Sequence, residues 1–161
     1  RLLQRQPYDE ALWEMRVRLD SLSGDREKLA NSLPALLSVN PRNAFANYLL
    51  GGRFQQEGKP EAAEAALRLA VEQDPSARYL NALAFHLAKQ DRLEEAREAL
   101  ALARDQWPNH PELLFHQALL LEREGKPAEA RVRLDQVMER QDDLPDRLLK
   151  EVREARDRVR F

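Results

Sequence analysis

The sequence predicts an all-α fold: a right-handed α-solenoid of paired helices, closed by a C-terminal capping helix. Three observations predict it. Apolar and small residues recur at spacings of three and four in successive segments, so each segment folds as a helix with one packing face. Breakers punctuate the segments at a regular interval, with Pro7, Pro41 and Pro75 each one repeat length apart. Aromatics make up only 6% of the chain and the apolar filler is Ala and Leu, which suits close-packed helices better than strands.

Residues 1–7, RLLQRQP, read like LAVEQDP before Ser76 and LARDQWP before Asn109, each the closing turns of a helix stopped by Pro. They are expected to be the tail of a preceding repeat, which makes the chain a fragment of a longer array or a larger protein. Residues 8–41 form the first helix pair, near 9–22 and 25–39, turning at Gly24-Asp25. Pro34 falls inside the second helix and is expected to kink it or delay its start.

Residues 42–76 form the clearest pair, near 42–57 and 60–74. Asn47, Leu50, Gly51 and Phe54 share one face of the first helix. Gly58 ends it, because Gly accepts the left-handed cap without strain. Pro60 opens the second helix, where a missing N–H costs nothing. Ala63, Leu67 and Ala70 share its inner face; Glu61, Glu64, Arg68 and Glu72 cover the outer one. Small Gly51, Ala63 and Ala70 let the two helices approach closely. Gly52 falls on the opposite face, where it leaves room for a partner's backbone.

Residues 77–110 repeat the pattern with helices near 77–90 and 93–106, and residues 111–142 with helices near 111–124 and 127–140. Gln90-Asp91 and Gly125-Lys126 supply the turns. In residues 143–161, Pro145 opens a last helix. Leu148, Val152, Ala155 and Val159 lie on one face of it. The alternative is a partner-binding or nucleic-acid-binding helix bearing Arg153, Arg156, Arg158 and Arg160. Interleaved Glu151, Glu154 and Asp157 dilute that charge and favour a cap: apolar toward the last pair, charged toward water.

This pattern resembles the tetratricopeptide repeat, with large, small and aromatic positions at fixed offsets and a closing Pro. The matches are Leu50, Gly51, Phe54, Gly58, Ala63, Leu67, Ala70 and Pro75. One copy later they are Leu80, Leu83, Ala84, Leu87, Leu93, Ala96, Leu100, Ala103 and Pro108. The next copy gives Leu114, Ala118, Leu121, Gly125, Ala130, Leu134 and Val137. The first copy, with Trp13, Gly24, Leu29, Leu33, Leu36 and Pro41, departs most. Arg16 and Val17 stand there for Leu and a small residue, and Leu29 stands for Ala.

The resemblance implies a concave groove lined by first-helix residues not used in packing. Those that carry the binding expectation are Tyr48, Gln55, Arg78, Asn81, Phe85, Lys89, Phe115 and Leu119, with Glu14, Arg18, Gly52 and Glu122 beside them. Aromatic and Arg side chains dominate interface energetics. Phe85 and Phe115 have a second reading, as core residues touching each other or the last helix. One branch of the family clamps a C-terminal carboxylate with Lys, Asn and Arg from three first helices. Only Arg78 and Asn81 approach that clamp, so chaperone-tail binding is not expected.

Other chemistry is sparse. The chain has three His, and Glu112 and His116 share a helix face, but no further ligand joins them, so no metal is expected. The Gly-Lys-Pro turns at 58–60 and 125–127 lack the extra Gly and the Ser or Thr of a phosphate loop. Ser32 and Ser38 have no base at motif spacing. Without Cys there is no disulfide or thiolate site. Charged residues make up 34% with a net charge of −2, so nucleic acid is not an expected partner. No apolar run approaches a membrane span, and no membrane insertion is expected.

The expectation is therefore a non-catalytic scaffold, without cofactor, that binds a protein segment or peptide in its groove. Two alternatives stand beside it. One is self-assembly into a homodimer through Trp13, Trp107 or the N-terminal face. The other is an accessory repeat domain of an enzyme or envelope-assembly protein. Arg, Ala and Leu richness is associated with bacterial chains, which would place it in the cytoplasm or periplasm.

Overall fold

A computed structural model describes residues 9–159; the expected tail over residues 1–7 lies outside the described residues. All regular structure among them is helical. The chain divides into two compact units, residues 1–75 and 76–161. The first holds α1 (Glu10–Leu22), α2 (Arg26–Val39), α3 (Ala44–Gln56) and α4 (Pro60–Gln73). The second holds α5 (Ala77–Lys89), α6 (Leu93–Gln106), α7 (Pro111–Arg123), α8 (Pro127–Met138), a 3-10 turn (Gln141–Asp143) and α9 (Asp146–Arg158). Helices pair in sequence, α1 with α2, α3 with α4, α5 with α6 and α7 with α8.

The turns form by one chemistry. Gly24, Gly58 and Gly125 have positive φ of 69°, 69° and 73°, and Asp91 takes the same conformation at 61°. In three of them a second bond closes the helix end. Lys59 N donates to the Phe54 carbonyl at 2.9 Å, Arg92 N to Leu87 at 3.0 Å and Lys126 N to Leu121 at 2.9 Å. These are the six-to-one bonds that satisfy otherwise orphaned carbonyls. Before α2, Asp25 does another job: its carboxylate accepts from Lys28 N at 3.1 Å and caps the helix.

In the first unit Val17, Leu33, Leu36, Phe45 and Ala46 form a buried cluster, with Trp13 and Leu29 packed against it. The departures of the first copy are thereby absorbed. Val17 is fully buried where a smaller residue was expected, and Arg16 turns outward to Asp20 at 2.9 Å. Pro34 neither delays α2 nor stops it. Ala30, whose carbonyl loses its partner, and Pro34 itself are both exposed, so water can serve that carbonyl. At Gly51 the close approach is literal: an added Cβ would lie 2.7 Å from Leu67 Cγ and 3.3 Å from the Ala63 carbonyl oxygen.

In the second unit Val152, Ala155 and Val159 of the last helix region are buried with Leu114, Ala118, Ala130, Leu134 and Val137 of α7 and α8, and Leu148 packs alongside. The face of α9 that the sequence marks as apolar is the face that packs. Pro145 sits at the N-cap, one residue before the helix begins.

Candidate functional site: a cleft between α5, α7 and α9

The expected binding residues separate into four groups. Tyr48 and Gln55 belong to the first unit, on α3, and both are half-buried. The Tyr48 ring lies 6.4 Å from that of Phe45, over which the Arg18 guanidinium stands at 4.1 Å. Arg18 also bonds Glu14 at 2.6 Å, and a Cβ on Gly52 would meet nothing within 4 Å. Arg78 is exposed at the start of α5.

Phe85, Lys89 and Leu119 meet in the second unit, at a cleft of about 560 Å³. Phe85 and Leu119 occupy the same repeat position, 34 residues apart, which is why successive first helices bring them together. Ala84 and Ala88 of α5 and Leu100 of α6 complete its apolar wall, and Glu122, Arg123 and Arg158 rim it.

Two expectations need correcting. Phe115 is 4% exposed and belongs to the core with α8 and α9, so it offers no surface to a partner. Asn81 is equally buried; its side-chain oxygen lies 2.8 Å from His116 Nδ1. Asn81 supports the cleft from beneath instead of lining it.

His116, read from sequence as an ordinary packed or exposed side chain, is the pivot of that support. Its ring stacks on Phe85 at 4.5 Å and 16°, and Lys89 Nζ stands 4.3 Å from the Phe85 centroid. Burial, helped by nearby Lys89, pushes the imidazole pKa down to about 4. The ring is therefore neutral at pH 7, and Nδ1 donates to the Asn81 oxygen. Asn81 thus holds His116 by a hydrogen bond, and His116 holds the Phe85 ring by stacking, with the Lys89 cation over that ring.

The rim is electrostatically uneven. Arg158 reaches from α9 to Glu122 through bonds of 2.9 and 3.1 Å, and that pair holds the guanidinium above its usual pKa. Arg123 donates to the Ala88 carbonyl at 2.6 Å and, like Lys89, has no ion-pair partner among the described residues. Glu122 is the one carboxylate among these rim residues, and it is committed to Arg158.

The residues missed from sequence were Arg123 and His116, and Arg158 was read only as one of four arginines of an alternative binding helix. Arg123 had a signal: it stands one repeat after Lys89. Nothing in the register placed Arg158 at this cleft, because α9 lies outside the repeat. No group of three or more His, Asp or Glu is arranged to hold a metal among the described residues. No described helix is long and apolar enough to cross a membrane.

The fold has solved counterparts. A crystal structure of PilW, described as a widely conserved type IV pilus biogenesis factor, matches with a TM-score of 0.70 and 19% identity, over 98% of this chain and 77% of that one. Pseudomonas aeruginosa pilF matches with a TM-score of 0.70 and 24% identity, over 97% and 75%. YrrB, described as a TPR protein with an unusual peptide-binding site, matches at 0.66 and 18%, over 94% and 78%. No curated protein sequence matches the chain. At these identities the likeness is one of fold. The sequence itself matches the family model described as Tetratricopeptide repeat twice, over residues 48–111 and 81–144. With those matches spanning more than half of its length, and with helix pairs that follow the same pattern, this chain belongs to the tetratricopeptide repeat family, whose members are protein-interaction scaffolds.

Proposed function

We propose that the chain binds a segment of a partner protein on its first-helix face, with the α5–α7–α9 cleft as the principal anchor site. The observation that carries this reading is the supported Phe85 ring. A large aromatic surface is held rigid at the mouth of an apolar cleft with polar groups at its rim, the composition that small binding sites favour. Because Asn81 and His116 already fix the ring, little side-chain entropy is lost on binding. The peptide-binding description attached to YrrB agrees with this reading at the level of fold.

The test is site-specific photo-crosslinking in lysate of the source cell. A benzophenone amino acid replaces Lys89 in one variant and Leu102, which is 58% exposed on the second-helix side, in another. A partner crosslinked from position 89 and absent from position 102 supports the reading. The reverse pattern moves binding to the second-helix side.

A second reading, self-assembly, has an observation of its own. Met15, Leu19 and Leu22 on α1 are 60%, 59% and 85% exposed and lie three and four residues apart, which makes one apolar stripe. Trp13 packs on the core and Trp107 stacks on His110 at 4.2 Å, so neither tryptophan is the natural anchor. Sedimentation velocity of wild type and Leu19→Lys/Leu22→Lys would show a concentration-dependent dimer lost in the variant; a monomer in both removes this reading.

A further inference from the structure

Resting on the groove reading above, we infer that the cleft selects an acidic segment: an apolar side chain seated on Phe85 and Leu119, with a neighbouring carboxylate held between Lys89 and Arg123. The argument is charge complementarity at a built site. Three cations, Lys89, Arg123 and Arg158, rim the cleft beside one carboxylate, Glu122. Arg158 already uses both Glu122 oxygens, at 2.9 and 3.1 Å. That leaves Lys89 and Arg123 as cations without a carboxylate.

Other cations of the same unit are committed to acids at close range: Arg92 to Glu95 at 2.6 Å, Arg97 to Glu124 at 2.6 Å and Arg156 to Asp135 at 2.7 Å. Lys89 instead rests over the Phe85 ring and Arg123 on the Ala88 carbonyl. Both placements orient the charge and leave donors over: an ammonium has three and a guanidinium five. An incoming carboxylate would meet oriented donors above an apolar floor, where water is partly excluded and charge-assisted bonds are strong. A basic segment would face three cations. A neutral apolar one would fill the floor and leave the rim unanswered.

The Arg158–Glu122 pair sharpens the selection. It bridges α9 to α7 and blocks Glu122 from attracting a lysine or arginine of a partner. The last helix thus contributes to specificity through one side chain, while its Val152 and Ala155 remain in the core.

The experiment is selection of a phage-displayed random decapeptide library on the whole chain, repeated on Lys89→Glu, on Lys89→Glu/Arg123→Glu and on Leu119→Ser. Wild type is expected to enrich peptides with Asp or Glu beside Leu, Ile or Phe. Their affinity is expected to fall at least tenfold in the double variant and several-fold as salt rises from 50 to 500 mM. Lys89→Glu alone, at an exposed position, guards against misfolding and is expected to give an intermediate loss. Peptides without acidic bias, indifferent to both charge variants yet lost with Leu119→Ser, overturn this inference and leave the groove reading standing. Failure to enrich any peptide, or enrichment indifferent to all three variants, overturns both.

Discussion

In residues 9–75 three of the four helices start under a side-chain cap, from Asp9, Asp25 and Asn43; in residues 76–159 none does. The second unit satisfies its first turns otherwise. Pro111 and Pro127 stand at first helical positions, where no N–H needs a partner, and Ala77 N donates to Gln106 Oε1 of α6 at 2.8 Å. The interiors differ in the same sense. The first unit buries Asp20, Ser32, Asn43 and Asn47, and Asn43 alone bonds Ala46 N, Glu10 and Glu14. The second buries fewer polar side chains, Asn81 and His86, and lines its helix contacts with Ala84, Ala96, Ala99, Ala103, Ala118 and Ala130. One repeat pattern thus tolerates different shares of local polar bonds and close apolar packing.

The helix contact itself offers the largest effect with which to break this comparison. Leu67, Leu100 and Leu134 hold equivalent positions, facing Gly51 in the first unit and Ala84 and Ala118 in the second. Leu67→Ala should cost about 2–5 kcal/mol by opening a cavity. Gly51→Ala should cost about 1–2 kcal/mol, because overpacking against Leu67 outweighs the gain in helix propensity. The double variant should cost clearly less than the sum, since the new methyl enters the space Leu67 leaves. Urea denaturation of the four proteins measures this; strict additivity would mean that α3 and α4 simply move apart.

Next in size is acid sensitivity in the second unit. His116 has a folded pKa of about 4 against an ordinary 6.5, so the unfolded chain takes up a proton first. The stabilisation is complete above pH 6.5 and is lost as pH falls toward 4. Between pH 7 and 5 it amounts to at most about 2 kcal/mol. His116→Gln should be less stable at pH 7 but should lose less on acidification to pH 5. Carboxylates held low by their partners complicate the picture only further down. At Glu124, burial pushes the carboxyl up, but bonds from Arg97 and Lys126 outweigh it. An equal slope in wild type and variant between pH 7 and 5 would place the titration elsewhere.

The smallest effect sharpens the comparison of caps. Asn43→Ala removes a cap bond of 2.9 Å and two bonds to glutamates, and should cost about 1–2 kcal/mol. Ser76→Ala, at an N-cap that makes no side-chain bond, should stay within about 0.5 kcal/mol. Thermal melts monitored by circular dichroism distinguish them, and a similar loss in both would erase the contrast between the units.

The order and type of helices were legible because their determinants are local. Three-and-four spacing fixes which face packs, and a left-handed residue or a proline fixes where a helix stops, within a few residues of chain. The ends were less legible: α8 closes at Met138, two residues early, and a 3-10 turn at 141–143 was not foreseen. The site was half legible. Repeat register brought out Phe85, Leu119 and Lys89, and extending it by one repeat would have brought out Arg123.

By itself, then, the sequence determined helix pairing, turn chemistry, the close approach at Gly51 and the buried face of the last helix. Tertiary structure alone decided what covers each side chain of one register position. Asn81 and Phe115 stand one repeat apart in equivalent places, yet Asn81 is buried holding His116 and Phe115 is buried against α8 and α9. The physical reason is that a spacing rule names a helix face but not what covers it. Burial at that face, the low pKa of His116 and the arrival of Arg158 at Glu122 all come from segments distant in sequence, and only packing brings them together.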